Sequence, residues 1–275
     1  MTKMKYSVLM SVYIKERAEY LQEAMNSIWK QSVPTNNFVL VCDGPLTFEL
    51  DSLIEEMEKK HPNILCVVRL KKNGGLGNAL NEGIKYCKNE LVARMDSDDI
   101  SRIDRCERQL RQFQENPELS IVSGIVEEFS ISTEQIEARR VLPEKQVEII
   151  QFAKKRNPFN HPCVMYKKST VEDAGGYQDF YLLEDYFLWV RMLQKGFVGY
   201  NLQQPLLWMR AGSEMYRRRA GWKYAKSQKA LFKYMKETGF ISGSQYLNSV
   251  LTRSVASLMP NGIRKFLFKH FMRKI

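Results

Sequence analysis

The chain has 275 residues, 44% of them apolar and 27% charged, which is the composition of a soluble globular protein of one or two domains and excludes disordered, collagenous and small disulfide-stapled chains. Its net charge is +11, an excess that points to an anionic partner without naming one. No apolar run approaches the roughly 20 residues that cross a bilayer, and Met1 to Tyr6 carries Lys3 and Lys5 with no long apolar core behind them, so neither a spanning helix nor a secretory signal is expected.

Tyr6 to Tyr13 is a nearly continuous apolar, β-rich run, as expected of a parallel strand covered on both faces. Leu21, Ala24, Met25, Ile28 and Trp29 then recur at three and four, one helical stripe that ends near Gln31 and is stopped by Pro34. The alternation repeats: Phe38 to Cys42 reads as a strand, Leu50 to Met57 as a helix, Ile64 to Leu70 as a strand, Leu80 to Cys87 as a helix and Leu91 to Met95 as a strand. Four strands interleaved with three helices predict right-handed βαβ units and a parallel sheet, with ligands at the carboxyl ends of the strands. Further on, a helix through Ile103, Cys106, Leu110 and Phe113 ends near Pro117, and Ile121 to Phe129 is another strand. A helix from Glu144 to Arg156, a short helix near Thr170 and the apolar run Leu182 to Leu193 follow; from Ser213 onward the sequence reads as polar, basic helices.

Fifteen of the 42 Lys and Arg residues fall between Arg210 and Ile275 with only two acids, Glu214 and Glu237, so the first 209 residues are nearly neutral. A catalytic domain over 1–212 with a basic helical region over 213–275 is the expected organisation. Five separated cysteines, Cys42, Cys66, Cys87, Cys106 and Cys163, contain no C-x-x-C pair and fit a reducing cytoplasm without a zinc site.

The strongest chemical signal is Asp96-Ser97-Asp98-Asp99 at the end of a strand. Three carboxylates in four residues repel one another, and they suit a hard divalent ion such as Mg²⁺ or Mn²⁺ that bridges to phosphates. The competing reading is helix capping through Ser101-Arg102-Ile103-Asp104, which accounts for Asp99 or Ser101 and leaves Asp96 and Asp98 without a purpose. Glu184 and Asp185 lie inside Leu182 to Trp189, where two acids in an apolar run are costly unless they open onto a cleft or start a helix. Asn73-Gly74-Gly75-Leu76-Gly77-Asn78 is a glycine-rich loop before a helix, and Asp43-Gly44-Pro45 has the composition of a tight turn.

Taken in order, these segments resemble the inverting glycosyltransferases of family 2, with the GT-A fold, over about Met4 to Arg219. The resemblance implies a Rossmann-like, mostly parallel central sheet flanked by helices. It implies that Ser11, Val12, Tyr13 and Glu16 lie at the nucleotide base, although Ser11 and Ile14 stand where the family commonly has proline and asparagine. Asp43 matches the second acid of the family's D-D-G-S strand end, which reads the uracil edge, while Cys42 replaces the first. Asn73, Gly74, Gly75 and Asn78 correspond to the segment beside the diphosphate. Arg94-Met95-Asp96-Ser97-Asp98-Asp99 matches the D-x-D element, which puts Arg94, Asp96 and Ser97 at the nucleoside and leaves Asp98 and Asp99 as candidate metal ligands, Asp98 favoured. Glu184-Asp185-Tyr186-Phe187-Leu188-Trp189 is similar to the E-D-x-x-L-W motif, in which the role of general base falls on Asp185 and Glu184 positions it or binds the acceptor.

His161, in Asn157 to Pro162, resembles an N-H-P segment near the donor; it is either structural or in touch with the diphosphate or acceptor. Arg217, with Arg218 and Arg219, suits a loop that folds over a diphosphate, though basic clusters are also ordinary solvated faces. Processive synthases carry a Q-x-x-R-W element that is absent here, so single addition is expected. The whole implies a metal-dependent enzyme (Mn²⁺ or Mg²⁺) that moves a sugar from a nucleotide donor, in particular a UDP-sugar, to a saccharide acceptor on a polyisoprenyl diphosphate. Near the end, Ile263, Phe266, Leu267 and Phe271 share one helical side and Lys265, Lys269 and Arg273 another, a pattern for a helix at an anionic membrane surface or one packed on the domain. No nucleic-acid module is recognisable. The rival readings are a nucleotidylyltransferase, whose glycine-rich first loop is missing between Ser11 and Arg17, and a non-catalytic membrane- or nucleic-acid-binding protein, which leaves both acid clusters unexplained.

Overall fold

The computed structural model describes residues 4–211 and 221–258. In chain order its first half runs β1 (Tyr6–Val12), α1 (Ala18–Trp29), β2 (Asn37–Cys42), α2 (Phe48–Lys60), β3 (Leu65–Arg69), α3 (Leu76–Ile84) and β4 (Leu91–Asp96). These are the four strands and three helices expected from the apolar periodicity, and β1 pairs in parallel with β2 and β4, and β2 with β3. Then come β5 (Ile100–Ser101), α4 (Arg105–Glu115), β6 (Leu119–Phe129), β7 (Ala138–Arg140), α5 (Gln146–Ala153), a 3₁₀ turn His161–Cys163, β8 (Met165–Lys167), α6 (Lys168–Asp173), α7 (Glu184–Gln194), β9 (Val198–Arg210), α8 (Trp222–Glu237) and α9 (Gly243–Leu258). The sheet order is β3-β2-β1-β4-β8-β6-β9-β5, with β7 on β6. Beyond the parallel half, β8 runs antiparallel to both β4 and β6.

Alternation along the strands sorts two apolar layers, because successive side chains leave opposite faces. Val8, Met10, Leu40, Ala93 and Met95 join α1, α2 and α4 on one face. Leu9, Val39, Val41 and Val92 join α3, α5, α6 and α7 on the other. Arg94 and Asp96, offset by one from Ala93 and Met95, therefore emerge on the α3 and α7 side. A third cluster packs Leu183, Tyr186, Phe187 and Val190 of the α7 segment against Tyr224, Leu231, Phe232 and Met235 of α8. Among the described residues no helix is long and apolar enough to cross a membrane.

Several elements differ from the expectation. The thirteen-residue strand β9 has no counterpart in the sequence reading, and neither do the two-residue β5 and three-residue β7. The capping box also fails: α4 starts at Arg105, Asp104 makes no side-chain cap bond, and the Ser101 hydroxyl instead sits buried with Gln31 Nε2 at 3.3 Å.

Candidate active site

The site is assembled from three carboxyl-side loops and the start of one helix. At the end of β2, Asp43 is buried and its two carboxylate oxygens accept the backbone N–H groups of Gly74 (2.7 Å) and Gly75 (3.0 Å). Asn73 Nδ2 donates to the Asp43 carbonyl at 3.1 Å, so the glycine loop is pinned to the strand end. Gly44 makes this approach possible: its φ is +89°, and a Cβ there would lie 2.6 Å from the backbone nitrogen of Asn73. The carboxylate expected to read a uracil edge thus already carries a loop-holding role. On the same loop Asn73, Gly74, Gly75 and Asn78 are exposed, lying open along the entry to α3.

At the end of β1, Ser11 is level with Val41 and Asp96 on the neighbouring strands, and Tyr13 is partly exposed beyond the strand. Val12 is a correction: its side chain is fully buried in the apolar layer, because strand alternation turns it away from the site, and only its carbonyl reaches Asp43, accepting that residue's N–H at 2.8 Å. Glu16 joins the acid cluster through Oε2, which accepts the Ser97 hydroxyl at 2.6 Å.

The β4 end holds the three aspartates. One carboxylate oxygen from each of Asp96, Asp98 and Asp99 lies within 4.8 Å of the others. Asp99 is buried, its Oδ1 accepts the backbone N–H of Arg210 at 2.9 Å, and its Oδ2 is buried with no hydrogen-bond partner. Burial, with Asp96 and Glu16 nearby, raises Asp98 to about 7; burial followed by the Asp98 and Asp96 charges holds Asp99 well above the usual carboxylate range. An oxygen-only donor set that resists ionisation, with one oxygen lacking a donor, fits a divalent cation. Asp98 and Asp99, with Asp96, are the residues that would hold it.

Arg94 connects this cluster to the second one. Its side chain is 1% exposed, its Nη2 donates to Asp96 Oδ1, and its Nε and Nη1 have no hydrogen-bond partner. Its charge is felt at Asp99, His161 and Glu184. Beneath it Arg105, fully buried, donates to the carbonyls of Arg94 (2.6 Å) and Val164 (3.2 Å), which fixes the strand that presents the aspartates.

Glu184 and Asp185 open α7 and follow Leu182, whose φ of +59° is the one positive value among described non-glycine residues. The helix start favours carboxylates, and Glu184 stands near enough to Arg94 and Asp96 of β4 to feel both charges. Glu184 is raised to about 7 by burial and then by Asp185. A Cβ on Gly77 would lie 3.5 Å from Glu184 Cβ, so α3 comes close to the acids with no side chain between. Asp185 Oδ2 accepts Asn157 Nδ2 at 2.6 Å and Oδ1 accepts the Tyr186 N–H at 2.7 Å. His161 lies in an aromatic box with Tyr177 and Trp189; its Nε2 is 3.0 Å from the Tyr177 hydroxyl and its Nδ1 is 3.9 Å from Asp185 Oδ2. Burial, reinforced by Arg94, pushes its pKa well below the ordinary value, so the ring is neutral. His161 is thus both a core residue and a neighbour of Asp185.

Three contributors escaped the sequence reading. Asn157 stood in the flagged segment, but its bond to Asp185 spans 28 residues and leaves no local trace. Tyr177 had no signal. Arg210 lies on the unrecognised β9, stacks over Tyr20 at 3.9 Å and Phe129 at 4.7 Å, and donates from Nε to the Asp98 carbonyl at 3.1 Å. Arg217 and the helix pattern from Ile263 to Arg273 lie outside the described residues.

A mixed α/β sheet whose parallel half ends in an aspartate cluster, with a second acid pair nearby, is the architecture of the GT-A class of sugar-transferring enzymes. The chain belongs to Glycosyl transferase family 2, which matches residues 7–174. It is 39% identical over 267 residues to an amylovoran biosynthesis glycosyltransferase of Erwinia amylovora, covering 96% of this chain and 98% of that one. It is 38% identical over 270 residues to an Escherichia coli UDP-Gal:alpha-D-GlcNAc-diphosphoundecaprenol beta-1,3-galactosyltransferase, covering 98% and 97%. Among solved structures, a Pyrobaculum calidifontis mannosyltransferase in complex with GDP-Man and Mn²⁺ shares the fold at a TM-score of 0.64 and 15% identity, over 95% of this chain and 79% of that one. The family removes the nucleotidylyltransferase and non-catalytic readings.

Proposed function

We propose that the protein transfers a hexosyl residue, with inversion, from a UDP-sugar to a saccharide carried on a polyisoprenyl diphosphate, in exopolysaccharide, capsule or O-antigen synthesis at the inner face of the membrane. The observation that carries this reading is the pair Glu184–Asp185 at the start of α7, where Glu184 feels the charges of Arg94 and Asp96 from β4. The full-length relatives, one for amylovoran and one acting with UDP-Gal on a diphosphoundecaprenol saccharide, support donor and acceptor class.

In this reading Asp185 Oδ2, held by Asn157, takes the proton of the acceptor hydroxyl as its oxygen attacks the anomeric carbon. The bond from that carbon to the diphosphate oxygen breaks, UDP leaves, and an α-linked donor gives a β-linked product. A divalent cation at Asp98 and its neighbours, when bound, supplies positive charge for the diphosphate. Asp43 and the glycine loop hold the nucleotide half, with Asn73 to Asn78 beside the diphosphate and Ser11, Tyr13, Glu16, Asp96 and Ser97 around the nucleoside.

The test is UDP release by the purified protein from a panel of UDP-sugars, with Mn²⁺ and with EDTA, in the presence and absence of a lipid-linked saccharide. Metal-supported release from one donor, accelerated by that acceptor, is expected. No release from any UDP-sugar, together with no UDP binding, overturns the donor assignment.

A further inference from the structure

The excess positive charge has a visible seat in the folded chain. Helix α8 carries Lys223, Lys226, Lys229, Lys233 and Lys236, all exposed, and no acid before Glu237. Trp222, Lys226, Lys229, Lys233 and Lys236 follow one another at three and four residues, so they form one stripe along the helix. Trp222, at the head of that stripe, is 73% exposed. The opposite side of the helix, Tyr224, Leu231, Phe232 and Met235, is buried against α7. A helix that spends one face on the core and keeps four lysines in line on the other holds like charges near one another, with Glu237 offsetting Lys233 at 3.6 Å.

The position of the stripe relative to the site follows from contacts at its two ends. Near the start of α8 the Ser227 hydroxyl donates to the Tyr181 carbonyl at 3.0 Å and Lys223 Nζ lies 4.0 Å above the Tyr181 ring, three residues before Glu184. Near its end the Thr238 hydroxyl accepts Gln194 Nε2 at 2.7 Å. Helices α7 and α8 therefore run side by side in the same direction, and the Trp222 end lies beside the start of α7 where Glu184 and Asp185 stand.

We propose that this lysine face, headed by Trp222, docks the protein on an anionic phospholipid bilayer and sets the acid end of α7 beside the membrane surface. Charge complementarity selects the occupant: four ammonium groups in a row match a continuous sheet of phosphate headgroups, and an exposed indole settles at the headgroup level. Docking rests on the reading above only for its purpose, which is to bring Asp185 to a saccharide that cannot leave the membrane.

The experiment is sedimentation of the full chain with vesicles of phosphatidylcholine alone or with 30% phosphatidylglycerol, alongside a chain carrying Lys226→Glu, Lys229→Glu and Lys233→Glu. At about fivefold in affinity per lysine near an anionic surface, loss of three positive charges weakens partitioning about 100-fold, and the triple glutamate variant, which also adds three negative charges, should fall further still. The wild-type chain should bind the anionic vesicles alone, and salt should weaken it. A matching Lys226→Gln, Lys229→Gln, Lys233→Gln chain should fall between the two, with unchanged thermal unfolding. Equal binding to both vesicle types, or a triple variant that binds like the wild type, overturns the proposal. Binding of duplex DNA in place of the vesicles overturns it in favour of a nucleic acid. UDP release measured on the same preparations keeps the two readings apart: vesicle binding without release sinks the transferase assignment alone, and release without vesicle binding sinks the docking surface alone.

Discussion

An acid that takes a proton must be held still, and Asp185 is held by Asn157 at 2.6 Å and by the backbone of Tyr186 at 2.7 Å. Asp185→Asn keeps the shape and removes the base, so sugar transfer should fall about 1,000-fold while UDP affinity is unchanged in a titration; normal turnover would remove Asp185 from that role. Asn157→Ala leaves the base in place and loosens it. The expected result is a kcat about tenfold lower with little change in acceptor KM, and a change confined to KM would assign Asn157 to acceptor binding instead. Glu184 gives a pH signature. Its carboxyl titrates near 7 in the folded protein, above the unfolded value of about 4.3, so the folded state holds the extra proton between those values. Stability is then lost as pH rises from about 4.5 to 7. Glu184→Gln should flatten that part of the profile and stabilise the protein at pH 8 by roughly 1 to 3 kcal/mol; a melting curve series at fixed ionic strength reads it directly, and an unchanged slope would place the proton elsewhere.

At the scale of elements, the site depends on turns that bring separate segments within hydrogen-bond reach. Gly44 is the tightest of these. An alanine there would be strained at φ +89° and would press on the Asn73 backbone, so Gly44→Ala should cost about 2 kcal/mol or more and detach the glycine loop from Asp43. Thermal unfolding measures the first effect and UDP affinity the second; a variant with native melting and native affinity would show that the loop is held by something other than this approach. The legibility of the chain divides along the same line. The segments β1 to β4 with α1 to α3 were readable because β1, β2 and β4 are buried on both faces, β3 is a short apolar run at the sheet edge, and each helix shows one apolar stripe. Strand β9 was not, because Gln203, Gln204 and Pro205 interrupt its pattern where the pairing with β6 shifts register at Gly124 and Ile125, and a proline at a bulge erases the period-two signal. The three acids of Asp96 to Asp99 and the pair Glu184–Asp185 were visible as charges beside apolar runs. Their link through Arg94, and the holding of Asp185 by Asn157, were not visible, since both are made by residues brought together only by the sheet.

At the scale of the whole molecule, the fold concentrates negative charge at its carboxyl edge and positive charge on α8. The acid edge is a cost to the folded chain. Asp96, Asp98 and Asp99 stand within one cluster, and burial and mutual repulsion hold Asp98 at about 7 and Asp99 well above the usual carboxylate range, so a bound cation relieves a strain that the chain alone can only relieve by binding protons. Ligand that binds the native state and not the unfolded chain stabilises it by about 3 kcal/mol at a hundredfold excess over Kd. For a chain of this size that is a rise of about 5 °C or more in melting temperature, and Mn²⁺ with UDP should produce it at pH 8. Protons compete for the same oxygens, so the gain should shrink as pH falls through 7 toward 6. Asp98→Ala should abolish the metal-dependent part at every pH and leave the unliganded protein no less stable, because it deletes a repelled carboxylate. A full melting shift in that variant would remove Asp98 from the cation site, and a shift independent of pH would mean that the cation binds away from the aspartates whose protonation the fold raises.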